Sequence, residues 1–178
     1  MNRVVIFIAS SLLLCSTSFA QGNLVINGTF DIEVPVNGTG GGWTTANVIG
    51  TAWQQIDGNY LFILNARGEP DTDPMIEQTV TGLVVGDPYL IKGEYRNFYG
   101  LIWCNVSADS FGVELDDQVI LELKYFSGIF SPFEVGFTAT AEEQTIRFSA
   151  ETNGSDCDYA IDNIEVYDLN MIFGDGFE

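Results

Sequence analysis

There is no histidine anywhere in the 178 residues. That removes the commonest acid–base side chain, the usual Ser-His-Asp and Cys-His arrangements, and the His-Glu-x-x-His zinc helix. Basic residues are scarce too: 6 Lys and Arg stand against 25 Asp and Glu, a formal charge of −19. Such a field repels nucleic acid and anionic membrane surfaces. Beyond residue 20 no apolar run is long enough for a membrane-spanning helix, which takes roughly 20 apolar residues. The chain shows no amphipathic helical pattern and no internal repeat. No Gly-rich loop leads into a helix, so nucleotide binding has no support. Cysteine comes to three, too few without histidine for a four-ligand zinc site.

What is there begins with Met1-Asn2-Arg3, a short positive start, followed by an apolar run over 4–14 and Ser18-Phe19-Ala20. This pattern is that of a secretory signal peptide over residues 1–20, cleaved after Ala20. Cys15 is preceded by Leu14, where a lipid-anchor motif needs a small residue, so the run reads as a cleaved signal with no membrane insertion afterwards. Residues 21–168 then suit one domain with one core, and 169–178 form a tail beyond the last strand. The remaining cysteines, Cys104 and Cys157, are expected to pair in an exported protein. The alternative is two separate buried thiols.

Short strands bounded by Gly, Asn, Asp and Pro dominate the rest. Asn23-Leu24-Val25-Ile26 reads as the first strand, and 60–64 as a strand apolar on both faces. Residues 88–97 place Tyr89, Ile91 and Tyr95 on one face and Lys92, Glu94 and Arg96 on the other. Residues 111–115 and 118–125, joined at Asp116-Asp117, read as a hairpin. Residues 144–150 alternate Ile146, Phe148 and Ala150 against Thr145, Arg147 and Ser149. The closing strand, 159–167, carries Ala160, Asp162, Ile164 and Val166 on one face. On strict alternation Asp162 points into the core, where an unpaired carboxylate is costly. About ten such strands predict an all-β antiparallel β-sandwich of the jelly-roll kind.

Asn23-Leu24-Val25-Ile26-Asn27-Gly28-Thr29-Phe30-Asp31, followed by Gly42-Trp43-Thr44, resembles the opening of the galactose-binding-like β-sandwiches, among them carbohydrate-binding modules of bacterial glycanases. Asp162-Asn163-Ile164-Glu165-Val166 is similar to their closing strand. Asp57-Gly58-Asn59-Tyr60, residues 76–83 and Tyr89-Leu90 fit the middle, so the likeness spans roughly 23–168. It implies a structural calcium between the first and last strands, with Asp31 and Asp162 as side-chain ligands, joined by backbone carbonyls and Asp57. Asp31 departs from the Glu often found there. The resemblance also implies that Trp43 belongs to the core. Residues 172–178 resemble short endings on some secreted gammaproteobacterial proteins.

No catalytic constellation stands out. Glycosidases need two carboxylates at a set separation, and Glu114-Leu115-Asp116-Asp117, the nearest pattern, reads as strand end plus turn. The expected function is therefore a non-catalytic protein that binds a polysaccharide or another cell-surface ligand. It would be secreted, periplasmic or on the surface of a bacterium. The candidate platform is Trp53, Tyr99 and Trp103, whose flat rings stack on sugars, with Arg96 and Glu94 as hydrogen-bonding neighbours. Trp103 stands beside Cys104, and packing on the disulfide is its alternative role. A structural or adhesive protein without a small ligand is the second reading, and a glycan-active enzyme the third.

Overall fold

In the computed structural model, residues 22–65, 73–98, 104–105, 108–124, 127–152 and 157–170 are described. The strands are β1 (Thr39–Gly40), β2 (Trp43–Ala46), β3 (Trp53–Ile56), β4 (Asn59–Leu64), β5 (Met75–Thr81), β6 (Pro88–Asn97), β7 (Ser110–Leu115), β8 (Gln118–Leu123), β9 (Ser131–Thr138), β10 (Glu143–Glu151) and β11 (Tyr159–Asp168). They form two antiparallel sheets packed as a sandwich: six strands in the order β1-β2-β5-β10-β7-β8, and five in the order β3-β4-β11-β6-β9. Two-residue hairpins arise where the turn chemistry asks for them. Asp57 and Gly58 between β3 and β4, and Asp116 and Asp117 between β7 and β8, all have positive φ, the backbone that two-residue hairpin turns need. No helix among the described residues is long and apolar enough to cross a membrane.

Alternation sets the inner faces. Ile146, Phe148 and Ala150 of β10 are buried, as are Tyr89, Ile91 and Tyr95 of β6. The core is aromatic. Phe111 stands 5.0 Å from Tyr95, 5.5 Å from Phe133, 6.0 Å from Tyr159 and 6.2 Å from Phe148, centroid to centroid. Trp43 is 1 % exposed, lies between Phe30 and Phe148 and donates its indole N–H to the Asn27 carbonyl at 3.1 Å. A buried Trp thus has its one polar atom satisfied, and the core role implied for it holds. Cys104 and Cys157 are joined, their Cα atoms 4.5 Å apart.

Two expectations fail in instructive ways. The segment expected as the first strand forms no regular ladder. Leu24 N–H donates to the Val166 carbonyl at 3.0 Å and Ile164 N–H to the Gly28 carbonyl at 2.9 Å. Between them the Asn23 side chain replaces backbone, its Oδ1 accepting from Val166 N–H at 2.9 Å and its Nδ2 donating to the Ile164 carbonyl at 3.2 Å. Asparagine competes in this way with main-chain partners. Gly28 crosses so close that a Cβ there would lie 1.9 Å from the Ile164 oxygen. Gly28→Ala is expected to lift the segment off β11, costing about 1–3 kcal/mol as overpacking does. Hydrogen exchange should report it as faster exchange at the Ile164 amide.

The second failure is the face of Asp162. Asp162 pairs with Glu94, but Glu165 pairs with Lys92, so three steps on β11 oppose two on β6. The extra residue is a β-bulge with Asn163 at φ 54°, a conformation Asn tolerates better than most. The bulge changes the phase of the strand. Before it, Ala160 and Asp162 share the outer face with Arg96 and Glu94. After it, Ile164 and Val166 enter the core while Glu165 pairs with Lys92 outside. Asp162 is therefore not in the core row. It is nonetheless 1 % exposed, covered on the outside of the five-stranded sheet.

Candidate functional site

The outer face of the six-stranded sheet holds an open groove of about 770 Å³ across β5, β10, β7 and β8. Outward residues of neighbouring strands meet there by register: Arg147 pairs with Glu77 of β5 and with Glu114 of β7, and Ser149 with Gly112. Arg147 is gripped from several sides. Its Nη2 lies 2.8 Å from Glu77, and one Nη1 reaches Glu114 at 3.2 Å and Asp117 at 2.6 Å. Burial works against its charge. The hydrogen bond and charge of Glu77, with Asp117 and Glu114, outweigh that and raise its pKa above the ordinary arginine value. Ser149 Oγ donates to Glu114 at 2.9 Å.

Gly112 has no side chain, and Ser149 Oγ fills the space one would take, 2.8 Å from where a Cβ would stand. Met75 and Val119 add apolar lining, and Val119 is 64 % exposed. The groove thus has fixed polar groups beside small apolar patches, the composition of a site for a hydrated, partly apolar ligand. Sequence reading did not single it out. Arg147 was legible as an outward residue, but the register that seats it between Glu77 and Glu114 joins residues far apart in the chain.

Of the expected platform, Trp53 and Arg96 do not share a face. Trp53 pairs with Phe62, Ile161 with both Phe62 and Tyr95, and these three partners are buried in the core. Trp53 therefore faces inward on the edge strand β3. Its ring stacks on Tyr60 at 4.6 Å and its indole N–H donates to the Phe30 carbonyl at 2.7 Å. Arg96 pairs with Ala160, which pairs with Ile63, on the opposite face. Trp53 and Arg96 cannot contribute to one surface, because neighbouring strand positions alternate sides and the ladder propagates that choice across the sheet. Tyr99 and Trp103 lie outside the described residues, as do residues 1–21, which hold the expected signal peptide, and 171–178.

The five-stranded sheet carries a second groove, of about 580 Å³, over Gly93 and Asn163. Lys92 and Glu165 pair across it at 2.8 Å, and the Lys92 ammonium lies over the Tyr167 ring, 4.7 Å from its centroid. Asn163 Nδ2 donates to Glu94 at 2.9 Å.

Beside that groove lies Asp162. One of its oxygens accepts from Asn59 Nδ2 and the other from the Asn163 amide at 2.7 Å. Burial pushes its carboxyl above the ordinary range, these two hydrogen bonds pull it back, and the charges of Glu94 and Asp31 push it up again. Asp31 is exposed and accepts from Thr29 Oγ1 at 2.8 Å. It follows Phe30, which has φ 55°, a left-handed backbone that an aromatic residue adopts only when its surroundings hold it. Here the ring is fully buried. The strained turn leaves Asp31 close enough for its charge to be felt at Asp162. Carboxylate oxygens are the donor chemistry a hard divalent cation takes, so Asp31 and Asp162 suit the implied calcium in kind, though among the described residues no three carboxylates converge there within ligand distance. Asp57 is exposed in the β3–β4 turn. Elsewhere Cys104, Asp109 and Cys157 cluster tightly, but the two sulfurs are bonded to each other and offer no thiolate.

No protein-family model matches the chain, and no curated protein is similar to it in sequence. Solved structures are similar in fold. A sugar-binding protein of Bacteroides thetaiotaomicron, so described provisionally, superposes with a TM-score of 0.58 at 10 % identity, covering 82 % of this chain and 99 % of that one. A family 61 carbohydrate-binding module, solved with β-1,4-galactotriose, gives 0.55 at 15 % identity over 82 % and 98 %. The enzymatically active domain of tailspike protein 4 from bacteriophage CBA120 gives 0.50 at 15 % identity, covering 83 % of this chain but 21 % of that one. At these identities the likeness speaks to architecture, and a shared architecture does not carry function with it. The chain has the galactose-binding-like β-sandwich fold, similar to that of carbohydrate-binding modules.

Proposed function

We propose that this chain is an exported, non-catalytic β-sandwich that binds a glycan in the groove over Arg147. The observation that carries the reading is the groove's floor. An arginine pinned by Glu77, Glu114 and Asp117, with Ser149 held by Glu114 beside the bare Gly112, is already ordered before a ligand arrives. Preorganised donors and acceptors lower the ordering cost of binding, which matters for a ligand as hydrated as a sugar. The solved neighbours include a module in complex with galactotriose, which favours a neutral polysaccharide. The disulfide favours an oxidising compartment. The net charge of −19 disfavours polyanions at low salt.

Affinity electrophoresis through gels containing neutral polysaccharides, β-1,4-galactan among them, tests the reading. At least one is expected to retard the protein, and Met75→Ala and Glu122→Ala, both in the groove lining, are expected to weaken retardation several-fold. If no glycan retards it, or both variants behave like the parent, the structural or adhesive reading replaces this one.

The proposal includes calcium at the Asp31–Asp162 end, as a structural ion. Burial raises the Asp162 pKa and the charges of Glu94 and Asp31 add to it; a divalent cation would neutralise those charges. A ligand that binds only the folded state stabilises it with the logarithm of its free concentration. A chelator is expected to lower the melting temperature of the parent protein and to leave Asp162→Ala unchanged. Equal melting of the parent with and without chelator would remove the ion from the reading.

A further inference from the structure

Arg96 differs from the other described cations. Lys92 meets Glu165 at 2.8 Å, Lys124 meets Glu122 at 3.1 Å, and Arg147 meets three carboxylates. Among the described residues no carboxylate lies within ion-pair reach of Arg96. This is unexpected in a chain with 25 acids and 6 bases, the more so since Glu94 sits two residues away on the same face.

The side chain is nonetheless held in place. Its guanidinium carbon lies 4.7 Å from the centroid of the Phe130 ring and 5.4 Å from that of Phe98. Its Nε is enclosed without a hydrogen-bond partner among the described residues. Around it Leu61, Ile63 and Ala160 form a small apolar cluster with Phe98 and Phe130 on the outer face of the five-stranded sheet. One step along the strands, at Glu94 and Pro132, the 580 Å³ groove begins.

We propose that Arg96, clamped between Phe98 and Phe130, is a carboxylate-binding subsite for an acidic sugar, a hexuronate residue, on the sheet opposite the Arg147 groove. The planar guanidinium presents paired N–H donors that match a carboxylate. The aromatic clamp fixes its orientation, and enclosure lowers the local dielectric, so one charge–charge contact counts for more there than on open surface. The phenyl rings and the aliphatic cluster offer apolar area to the C–H face of the sugar ring. Glu94 and Asn163, at the near end of the groove, offer an acceptor and an amide to its hydroxyls. A single carboxylate can approach locally even though the whole molecule is negative, but a densely charged polyanion is repelled. The choice of a sugar acid over another carboxylate rests on the glycan-binding reading. The anion site itself does not.

Galacturonate, galactose and acetate are to be titrated separately into the isotopically labelled protein, with the Arg96 Nε–H resonance as the reporter. Galacturonate is expected to shift that resonance saturably, and acetate and galactose to do so at much higher concentration. Arg96→Gln loses that reporter and is followed instead through the Asn163 side-chain amide resonance in the same groove; it is expected to weaken galacturonate binding about tenfold, the scale of one hydrogen-bonded charge, whereas Met75→Ala in the other groove leaves it unchanged. No galacturonate-dependent shift in the parent protein overturns the subsite. An acetate response as strong as that to galacturonate overturns the sugar assignment. Loss of neutral-glycan retardation with a preserved galacturonate shift would break only the reading of the Arg147 groove.

Discussion

Replacing Cys104 and Cys157 together by alanine should lower stability by about 4 kcal/mol. The bridge spans 53 residues of sequence, and the chain-entropy model assigns that size to a ring of this length. Its ends matter as much as its length. Cys104 lies ahead of β7 in the six-stranded sheet, and Cys157 immediately precedes β11 in the five-stranded one. The unfolded chain without the bridge is free to separate parts that the two sheets bring together. In a domain of this size each kcal/mol moves the midpoint by about 2–4 °C, so the melting temperature should fall by roughly 10 °C. Denaturant titration should show a lower midpoint, and a steeper slope as the unfolded state expands. Asn97 Nδ2 lies 2.8 and 3.2 Å from the two sulfurs and donates to the Asp158 carbonyl at 3.2 Å, so local order around 157–158 should loosen first in hydrogen exchange. A loss under about 1 kcal/mol would contradict the entropic account.

Arg147→Met should be nearly as damaging to stability, and more so to binding. The substitution keeps an unbranched chain while removing the charge. It leaves Glu77 and Glu114, about a quarter exposed or less, facing Asp117 with no cation among them. Breaking a half-buried ion network in this way costs about 3 kcal/mol, because the remaining charges lose their partner and repel. Added salt should narrow the gap between parent and variant, because it screens the repulsion among the charges left behind. Replacing Glu77 as well by Gln should recover part of the loss, since the pair is coupled and the two effects are not additive. Glycan retardation should be lost in Arg147→Met and should not return with Glu77→Gln, because the donor at the groove floor is still missing. Thermal melts at two salt concentrations, run beside affinity electrophoresis, separate the two consequences.

Much of the architecture was legible in local sequence. Period-two alternation at 88–97 and 144–150 assigned inner and outer rows correctly, because side chains of a strand must alternate and apolar ones must leave water. Asp116-Asp117 marked a hairpin because those residues accept positive φ. The pairing of Cys104 with Cys157 was legible from their being the two cysteines beyond the expected signal segment and from the expectation of export. The likeness to galactose-binding-like sandwiches pointed to the right fold from a few short motifs.

What failed depended on partners distant in sequence. Strict alternation sent Asp162 into the core, but a single inserted residue at Asn163 reverses the phase, and one strand read alone cannot show what its neighbour opposes to it. Trp53 was grouped with Arg96 by residue type. The ladder from β3 through β4 and β11 to β6 put them on opposite faces. The groove over Arg147 draws on Glu77, Glu114 and Asp117, and a register that brings 77, 114 and 147 abreast is a property of three strands together. By itself the sequence determined most of the strands and that the chain folds as a β-sandwich, since propensity, periodicity and turn chemistry act within a few residues. Only the tertiary structure decided which polar side chains meet, which aromatics are buried and which face of each sheet presents a groove, because strand pairing and sheet packing are long-range choices that the whole chain makes at once.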